Sequence, residues 1–401
     1  MSVTAASGFV AAGGAAGIKA SGAADLALVA TADHQPVTAA GVFTTNLVAA
    51  APVQLSRRHL AGERRAAAVV LNSGNANAAT GEPGLLVAER TAALVAGALG
   101  CQRHHVLVCS TGLIGIPMAI EPFTTGVPAV AAQLAGTAEA GRRAARAIMT
   151  TDTVPKEAVA AVDVGGVAVT VGGMAKGAAM LSPAMATMLA VITTDAAVDG
   201  ATLQRALTIA VDASFNLMTT DGSRSTNDTV LVLAGGAAGN PPITAGTAGA
   251  HALADGLTEV CASLSDQMAR DAEGATKFVR LTVKGARSNA EALRAARAVA
   301  QSQLVKCSLF GGDPYWGRIL SELGASGSFL DPDKVDIAYN GFTVCVGGVA
   351  ASAGVDAAAL AKSMQQREIE VVADLRLGNG EATVTTVDLT PGYIDENMRT
   401  S

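Results

Sequence analysis

The chain has 401 residues, half of them hydrophobic and 15% charged, which supports a large buried core and excludes a disordered polymer. That length favours two domains, or two intimately packed halves, over a single core. A net charge of −6, only 3% aromatic residues and no basic run longer than pairs such as Arg57-Arg58, Arg64-Arg65 and Arg142-Arg143 argue against nucleic acid as a partner.

At the N-terminus, MSVTAASGFVAAGG has neither a basic n-region nor a compact apolar h-region, so no signal peptide is expected and a cytoplasmic location is predicted. GGAAG at Gly13–Gly17 has the wrong glycine spacing for a dinucleotide loop, and no strand is expected before it. Short apolar runs punctuated by Gly, Asn and Ser predict strands at Leu26–Thr31, Gly41–Thr45, Ala67–Leu71, His105–Cys109 and Val167–Val171. Between them, Leu85–Leu99 and Val127–Ile148 show helical spacing with charges on one side. The second half repeats the mixture. Helices are expected at Leu203–Asn216, Ala250–Asp271 and Ala290–Leu304, and strands at Thr229–Leu233, Phe278–Val283, Ala338–Val346 and Ile369–Leu375.

The charge-free stretches His34–Ser56 and Ala178–Thr194 contain Pro, Ser and Thr, so they read as buried strands and turns and no membrane partner is expected. Irregular alternation of strands and helices predicts an α/β (α+β layered) protein with mixed β-sheets sandwiched by helices. The cysteines, Cys101, Cys109, Cys261, Cys307 and Cys345, are odd in number and lack a C-x-x-C pair, which argues against a disulfide framework or a thiolate zinc site. The histidines, His34, His59, His104, His105 and His251, sit in no triad-like or metal-like context. With no phosphate loop either, neither a cofactor nor a metal is expected.

The most unusual segment is Gly172–Asp195, GGMAKGAAMLSPAMATMLAVITTD. A glycine-rich turn with a lysine leads to small residues, and Thr187 then opens the strand-like run Met188–Thr193. A threonine hydroxyl is a poor nucleophile because it is rarely deprotonated in water. Breaking the Ala186–Thr187 bond gives Thr187 an α-amine about 3 Å from its own hydroxyl, within reach for proton transfer. Such an amine titrates near 7.7–8.0, so a useful fraction is neutral and can take the hydroxyl proton. One residue then serves as nucleophile and general base, with no need of a His–Asp pair. The cut uses the same oxygen: the Thr187 hydroxyl attacks the Ala186 carbonyl, and water hydrolyses the ester. A buried strand threonine beside a glycine-rich turn has the same local sequence, so the flanking blocks decide.

These residues resemble the cleavage motif of the ornithine acetyltransferase (glutamate N-acetyltransferase) family at Lys176-Gly177, Pro183, Met185-Ala186-Thr187-Met188-Leu189 and Thr194-Asp195. Eight further blocks follow that family's order: GIKASG (Gly17–Gly22), GVFTTN (Gly41–Asn46), LNSGNANA (Leu71–Ala78), CSTGLIG (Cys109–Gly115), MTTDTVPK (Met149–Lys156), STNDTV (Ser225–Val230), DAEGATK (Asp271–Lys277) and LFGGDPYWGR (Leu309–Arg318). The similarity runs from about Gly17 to Asn397.

The resemblance implies a DmpA/ornithine-acetyltransferase-like fold and self-cleavage into an α chain, 1–186, and a β chain, 187–401, headed by the nucleophile Thr187. It implies ping-pong transfer of acetyl from N2-acetylornithine to glutamate, without a cofactor, by an α2β2 heterotetramer. Some members also accept acetyl-CoA. Thr111 and Gly112 become the oxyanion hole; their block follows a strand and opens a turn where N–H groups and a hydroxyl can converge. Thr150, Lys176, Glu273, Asn397 and Ser401, with Thr187, become substrate contacts. Two substrates that share a carboxylate but differ in side-chain charge call for a cation and an acidic or polar group. The default for Lys176 and Glu273 is a solvated surface pair. At the C-terminus the family reads Asn-x-x-Tyr-x-Ser/Thr, whereas this chain ends Asn397-Met398-Arg399-Thr400-Ser401, one residue shorter and without the tyrosine. The same nucleophile also suits a related acyltransferase of secondary metabolism, or an amidohydrolase or aminopeptidase that gives the acyl group to water.

Overall fold

A computed structural model describes residues 2–180, 188–351 and 354–398. The first part of the chain forms β1 (Phe9–Gly14), β2 (Leu26–Thr31), β3 (Val37–Phe43), α1 (Ala51–Leu60), β4 (Arg65–Ala66), β5 (Ala68–Asn75), α2 (Gly81–Leu99), β6 (Val106–Leu113), α3 (Glu121–Ala131) and α4 (Ala138–Ala147). Next come β7 (Lys156–Val164), β8 (Val167–Lys176), β9 (Leu189–Thr194), α5 (Gly200–Asp212), β10 (Met218–Thr219), β11 (Thr229–Ala234) and α6 (Ala248–Arg270). The remainder holds β12 (Phe278–Ala286), α7 (Asn289–Gln301), α8 (Gln303–Phe310), α9 (Trp316–Ala325), β13 (Asp336–Tyr339), β14 (Phe342–Val346), β15 (Val349–Ala350), α10 (Ala357–Ser363), β16 (Glu368–Asp374), β17 (Gly380–Val387) and α11 (Pro391–Asn397). Two compact units result. Of the described residues, one takes those up to Asn216 together with Ser223–Met268; the other takes Leu217–Gly222 and those from Ala269 to Met398.

The first unit is built on two mixed sheets, β1-β2-β5-β6 and β4-β3-β11-β9-β8-β7. Side chains alternate across each strand, and the alternation sorts them into two cores. Ala27 and Val29, Val69 and Leu71, and Leu107 and Cys109 join Met174, Leu189, Val191, Leu231 and Leu233 of the six-stranded sheet in one buried layer. Their neighbours Leu26 and Leu28, Ala68 and Val70, and Val106 and Val108 pack against α1, α2 and α3 through Leu55, Val95, Phe123 and Val127. Each such Val or Leu contributes about 1.5–3 kcal/mol by leaving water. Helices also cover the outer face of the six-stranded sheet. Gln204 of α5 donates to the Gly41 carbonyl at 3.1 Å. Gly173 of β8 lies so close under α6 that an added Cβ would sit 2.9 Å from Val260.

The second unit has one mixed sheet, β10-β17-β12-β16-β13-β14-β15. Val279, Leu281 and Val283 of β12 meet Ala292, Ala296 and Val299 of α7 and Leu309, Ile319 and Leu323 of the next two helices. Arg280 and Lys284 on the same strand face water, the signature of a sheet covered on one side.

The layered mixed α/β architecture expected from the sequence is therefore present. Several local expectations change, among them Ala290–Leu304, which breaks at Ser302, extended between α7 and α8 and capping the latter. Val127–Ile148 is two helices, because Thr137 caps α4 by accepting from the Ala140 N–H at 3.2 Å. Ala338–Val346 is a hairpin: Asn340 and Gly341 both have positive φ, 48° and 83°, and close a two-residue turn between β13 and β14. Finally, β1 does precede Gly13–Gly17, yet it leads into an acidic turn and no helix: Asp25 accepts from the N–H groups of Ala16, Ile18 and Lys19 at 2.6–2.9 Å. Among the described residues no helix is long and apolar enough to cross a membrane.

Candidate active site

In the four-stranded sheet the edge strand β6 runs parallel to β5, and their pairing breaks register at Gly74 and Asn75, opposite Thr111 and Gly112. Gly112 has φ +136°, and a Cβ there would lie 2.3 Å from the Gly74 carbonyl carbon, so only glycine fits. Thr111 is buried. The carbonyl of Ser110, in the peptide that joins it to Thr111, accepts from Asn227 Nδ2 at 2.8 Å, and the same amide reaches the Ala76 carbonyl at 2.6 Å. Ser110 Oγ in turn donates to Asn72 Oδ1 at 2.6 Å. Strand ends from both sheets of this unit are thus pinned together. Thr111 and Gly112 line a cavity of about 20 Å³ with Ala76, Ile114, Met180 and Asn227. A larger hollow of about 460 Å³, between Leu47, Gln54, Thr80 and Leu85, contains none of the expected site residues.

Lys176 ends β8 and is 2% exposed, so the default of a solvated surface charge does not hold for it. Its ammonium donates to Thr150 Oγ1 at 2.7 Å and to Thr111 Oγ1 at 3.4 Å. Three residues expected from the sequence, Thr111, Thr150 and Lys176, therefore converge. Beneath them lies Asp152. Its carboxylate accepts from Lys156 Nζ at 2.5 Å, Gly177 N at 2.8 Å and Thr150 N at 3.0 Å, and stands 3.7 Å from Lys176 Nζ. Burial alone would raise its pKa, but the charges of Lys176 and Lys156 hold it well below the usual carboxylate range. Lys19 completes the support by donating to the carbonyls of Met149, at 2.7 Å, and Ala24, at 3.1 Å. Burial pushes its pKa down, Asp25 opposes that, and Lys176 adds to it.

A second carboxyl marks the start of β9. Asp228, fully buried, accepts the Met188 N–H at 2.9 Å through Oδ1, while its Oδ2 has no hydrogen-bond partner among the described residues. Burial drives its pKa well above the ordinary value, against the opposing pull of the Met188 N–H, the Ser225 hydroxyl and Lys176. Met188 directly follows Thr187 in the chain. Thr187 itself, Ala186 and Ser401 lie outside the described residues.

Glu273 and Asn397 belong to the second unit, where Asn397 Nδ2 donates to Glu273 Oε2 at 2.7 Å and to the Tyr393 carbonyl at 2.8 Å. The approach depends on Gly274, at φ +64°, whose Cβ would collide with Tyr393 N at 2.3 Å. Thr390 then fastens α11 to that turn by donating to the Gly274 carbonyl at 2.7 Å.

Sequence reading missed Asp152, Lys156, Asn227 and Asp228 as parts of this framework. Each stood inside a quoted block, MTTDTVPK or STNDTV. The available signal was an Asp and a Lys four residues apart in a charge-poor stretch, which is hard to reconcile with two solvated charges.

Comparison with known proteins bears on the whole chain. The ArgJ family profile matches residues 10–400. The arginine biosynthesis bifunctional protein ArgJ of Symbiobacterium thermophilum is 49% identical over 396 residues, covering 98% of this chain and 97% of its own length. The protein of the same name from Geobacter sulfurreducens is 49% identical over 384 residues, covering 95% and 96%. Among solved structures, a chain of the ornithine acetyltransferase from Mycobacterium tuberculosis, complexed with ornithine, is 45% identical, covers 45% of this chain and 94% of that one, and superposes with a TM-score of 0.41. The profile match and the two relatives, each 49% identical over at least 95% of the chain, place it in the ArgJ family.

Proposed function

We propose that the chain is a self-cleaving acetyltransferase of arginine biosynthesis, moving acetyl from N2-acetylornithine to glutamate through an acetyl-threonine at Thr187. The Thr187 hydroxyl oxygen attacks the acetyl carbonyl while its α-amine takes the hydroxyl proton. The tetrahedral oxyanion is held at Thr111 and Gly112, and collapse returns the proton to the departing ornithine nitrogen. The amine of glutamate then attacks the ester, N-acetylglutamate leaves, and the hydroxyl is restored. An amide is exchanged for an amide, so no activated donor is consumed. Acetyl-CoA as a second donor belongs to the same proposal.

The observation that carries this reading is the Lys176 ammonium, buried between the hydroxyls of Thr150 and Thr111. A cation so placed suits a carboxylate that both amino acids share. Glu273 supplies an acidic group matched to the ornithine side-chain ammonium, and Asn397, Thr150 and Ser401 are further substrate contacts.

Self-cleavage between Ala186 and Thr187 yields fragments 1–186 and 187–401, which stay paired and assemble as an α2β2 heterotetramer in the cytoplasm. Support for the pairing comes from β9, which would belong to the second fragment yet pairs antiparallel with β8 of the first over six residues, Val171–Lys176. Incubating the purified protein with N2-acetylornithine and glutamate tests the reading. N-acetylglutamate should form, with an acetyl adduct on the 187–401 fragment by mass spectrometry; absence of both would overturn it.

A further inference from the structure

We infer that Glu63, His104 and His105 form a binding site for a borderline divalent transition-metal ion of the Zn²⁺ class, remote from the acyl-transfer machinery. The three residues come from two turns. Glu63 lies between α1 and β4, and the two histidines end the 3-10 turn Arg103–His105 that leads into β6. One nitrogen from each ring and one carboxylate oxygen all fall within 4.8 Å of one another. The histidine rings sit side by side, centroids 4.1 Å apart, and His105 Nε2 is 3.4 Å from Glu63 Oε2. Ligands about 2.0–2.2 Å from a tetrahedral zinc lie roughly 3.4 Å apart, so the His105–Glu63 pair already has that spacing. Only His104 must close in, and it is exposed, as is Glu63, so a side-chain rotation suffices.

Rigidity agrees with this, while Arg103 on the same turn adds a like charge that the donor set must outweigh. His105 is buried, its N–H bonded to the Gln102 carbonyl at 2.9 Å and its carbonyl accepting from Ala67 N at 2.8 Å, so one ligand is preset. The nearby guanidinium groups of Arg64 and Arg65 are directed elsewhere, to the carbonyls of Gly200 and Pro36. Two imidazoles and one carboxylate are the donor set that zinc, cobalt, nickel and copper share, with water completing the shell. The competing explanation is a simple His105–Glu63 ion pair, which needs no contribution from His104. Thr111 lies six residues further along, roughly 20 Å away at strand rise. Metal there would tie the α1–β4 turn to the head of β6 without meeting substrate.

Calorimetric titration of the tag-free protein with ZnCl₂ decides the matter, run about one pH unit above imidazole's ordinary pKa. A Cys307→Ser background removes an exposed thiol that would compete for zinc. One site per chain is expected, with affinity weakened at least about tenfold by His104→Ala and by Glu63→Gln. Both are surface substitutions whose folding circular dichroism verifies. His59→Ala should leave affinity unchanged, since His59 Nδ1 is held 2.8 Å from the Val106 carbonyl. No saturable binding up to ~1 mM zinc, or binding that neither His104→Ala nor Glu63→Gln weakens, would overturn the site. Acetyl transfer is not the readout, so failure here leaves the proposed function standing.

Discussion

Asp152 illustrates why a buried carboxylate is worth more as an organiser than as an ion pair. It gathers Lys156, Lys176, Thr150 N and Gly177 N around two oxygens, and the same contacts fix where the Lys176 ammonium points. Replacing it with asparagine keeps an acceptor but removes the charge that two buried ammonium groups share. We expect Asp152→Asn to lower stability by about 3–5 kcal/mol, read from urea midpoints. Its pH signature has a definite sign. Because the folded pKa is depressed below 3.8, the stabilisation is fully present above that unfolded value and drains away as pH falls through the folded one. Wild type should therefore lose stability in acid more steeply than the variant. Lys176→Met removes charged hydrogen bonds worth roughly 1.5–3 kcal/mol, so kcat/KM for acetyl transfer should fall about ten- to a hundredfold. Thr187→Ala should remain one band of 39.8 kDa in denaturing electrophoresis and form no N-acetylglutamate. A cleaved Thr187→Ala chain would remove Thr187 as the attacking group.

Strand β9 carries the same reasoning to the level of elements. It lies between β8 and β11, antiparallel to one and parallel to the other, and its six residues are all buried. A cut before residue 187 would free one end of a strand whose ladder hydrogen bonds remain on both sides. Fragments 1–186 and 187–401 should co-elute in size exclusion under native conditions and separate only in denaturant. Separate elution in buffer would contradict the pairing. Elements of this kind were legible from sequence because burial and period coincide: β2 is Leu26–Thr31 as expected. Others were not. Helix α1 carries Pro52 in its first turn and lies in a charge-poor region, so its amphipathic period was hidden among strand-like neighbours. Strand β7 reads KEAVAAVDV and buries Lys156, Ala158 and Ala160 while Val159 and Val162 are only half-buried, so side-chain size does not mark its inner face. Of the site, Thr111, Thr150 and Lys176 were legible because CSTGLIG, MTTDTVPK and the Lys176-Gly177 turn resemble the family's blocks. Asp228 was hidden because a buried Asp and a capping Asp share the same local sequence.

Lys306 sets a pH dependence for the molecule as a whole. It lies on α8, fully enclosed, with Nζ donating to the Val387 carbonyl at 2.6 Å and Thr386 Oγ1 at 2.8 Å. Burial pulls its pKa down to about 7, although Asp221 and Asp388 oppose the shift. A lysine depressed from 10.5 to about 7 means that the unfolded chain binds more protons than the fold throughout that window. Stability therefore rises with pH from about 7 upward, and the cost of the buried charge is complete below 7. The cysteines act with the opposite sign. Burial raises the pKa of Cys109 and Cys261, so above the thiol's ordinary 9.0 the unfolded chain loses protons that the fold retains. The raw stability profile thus mixes two slopes, and only a difference isolates the lysine. Lys306→Met should lose ground relative to wild type by roughly 2 kcal/mol as pH climbs from about 7 to about 9, measured by urea unfolding at each pH. A difference that stays constant across that range would mean that Lys306 is charged in the fold at both ends, held so by Asp221 and Asp388.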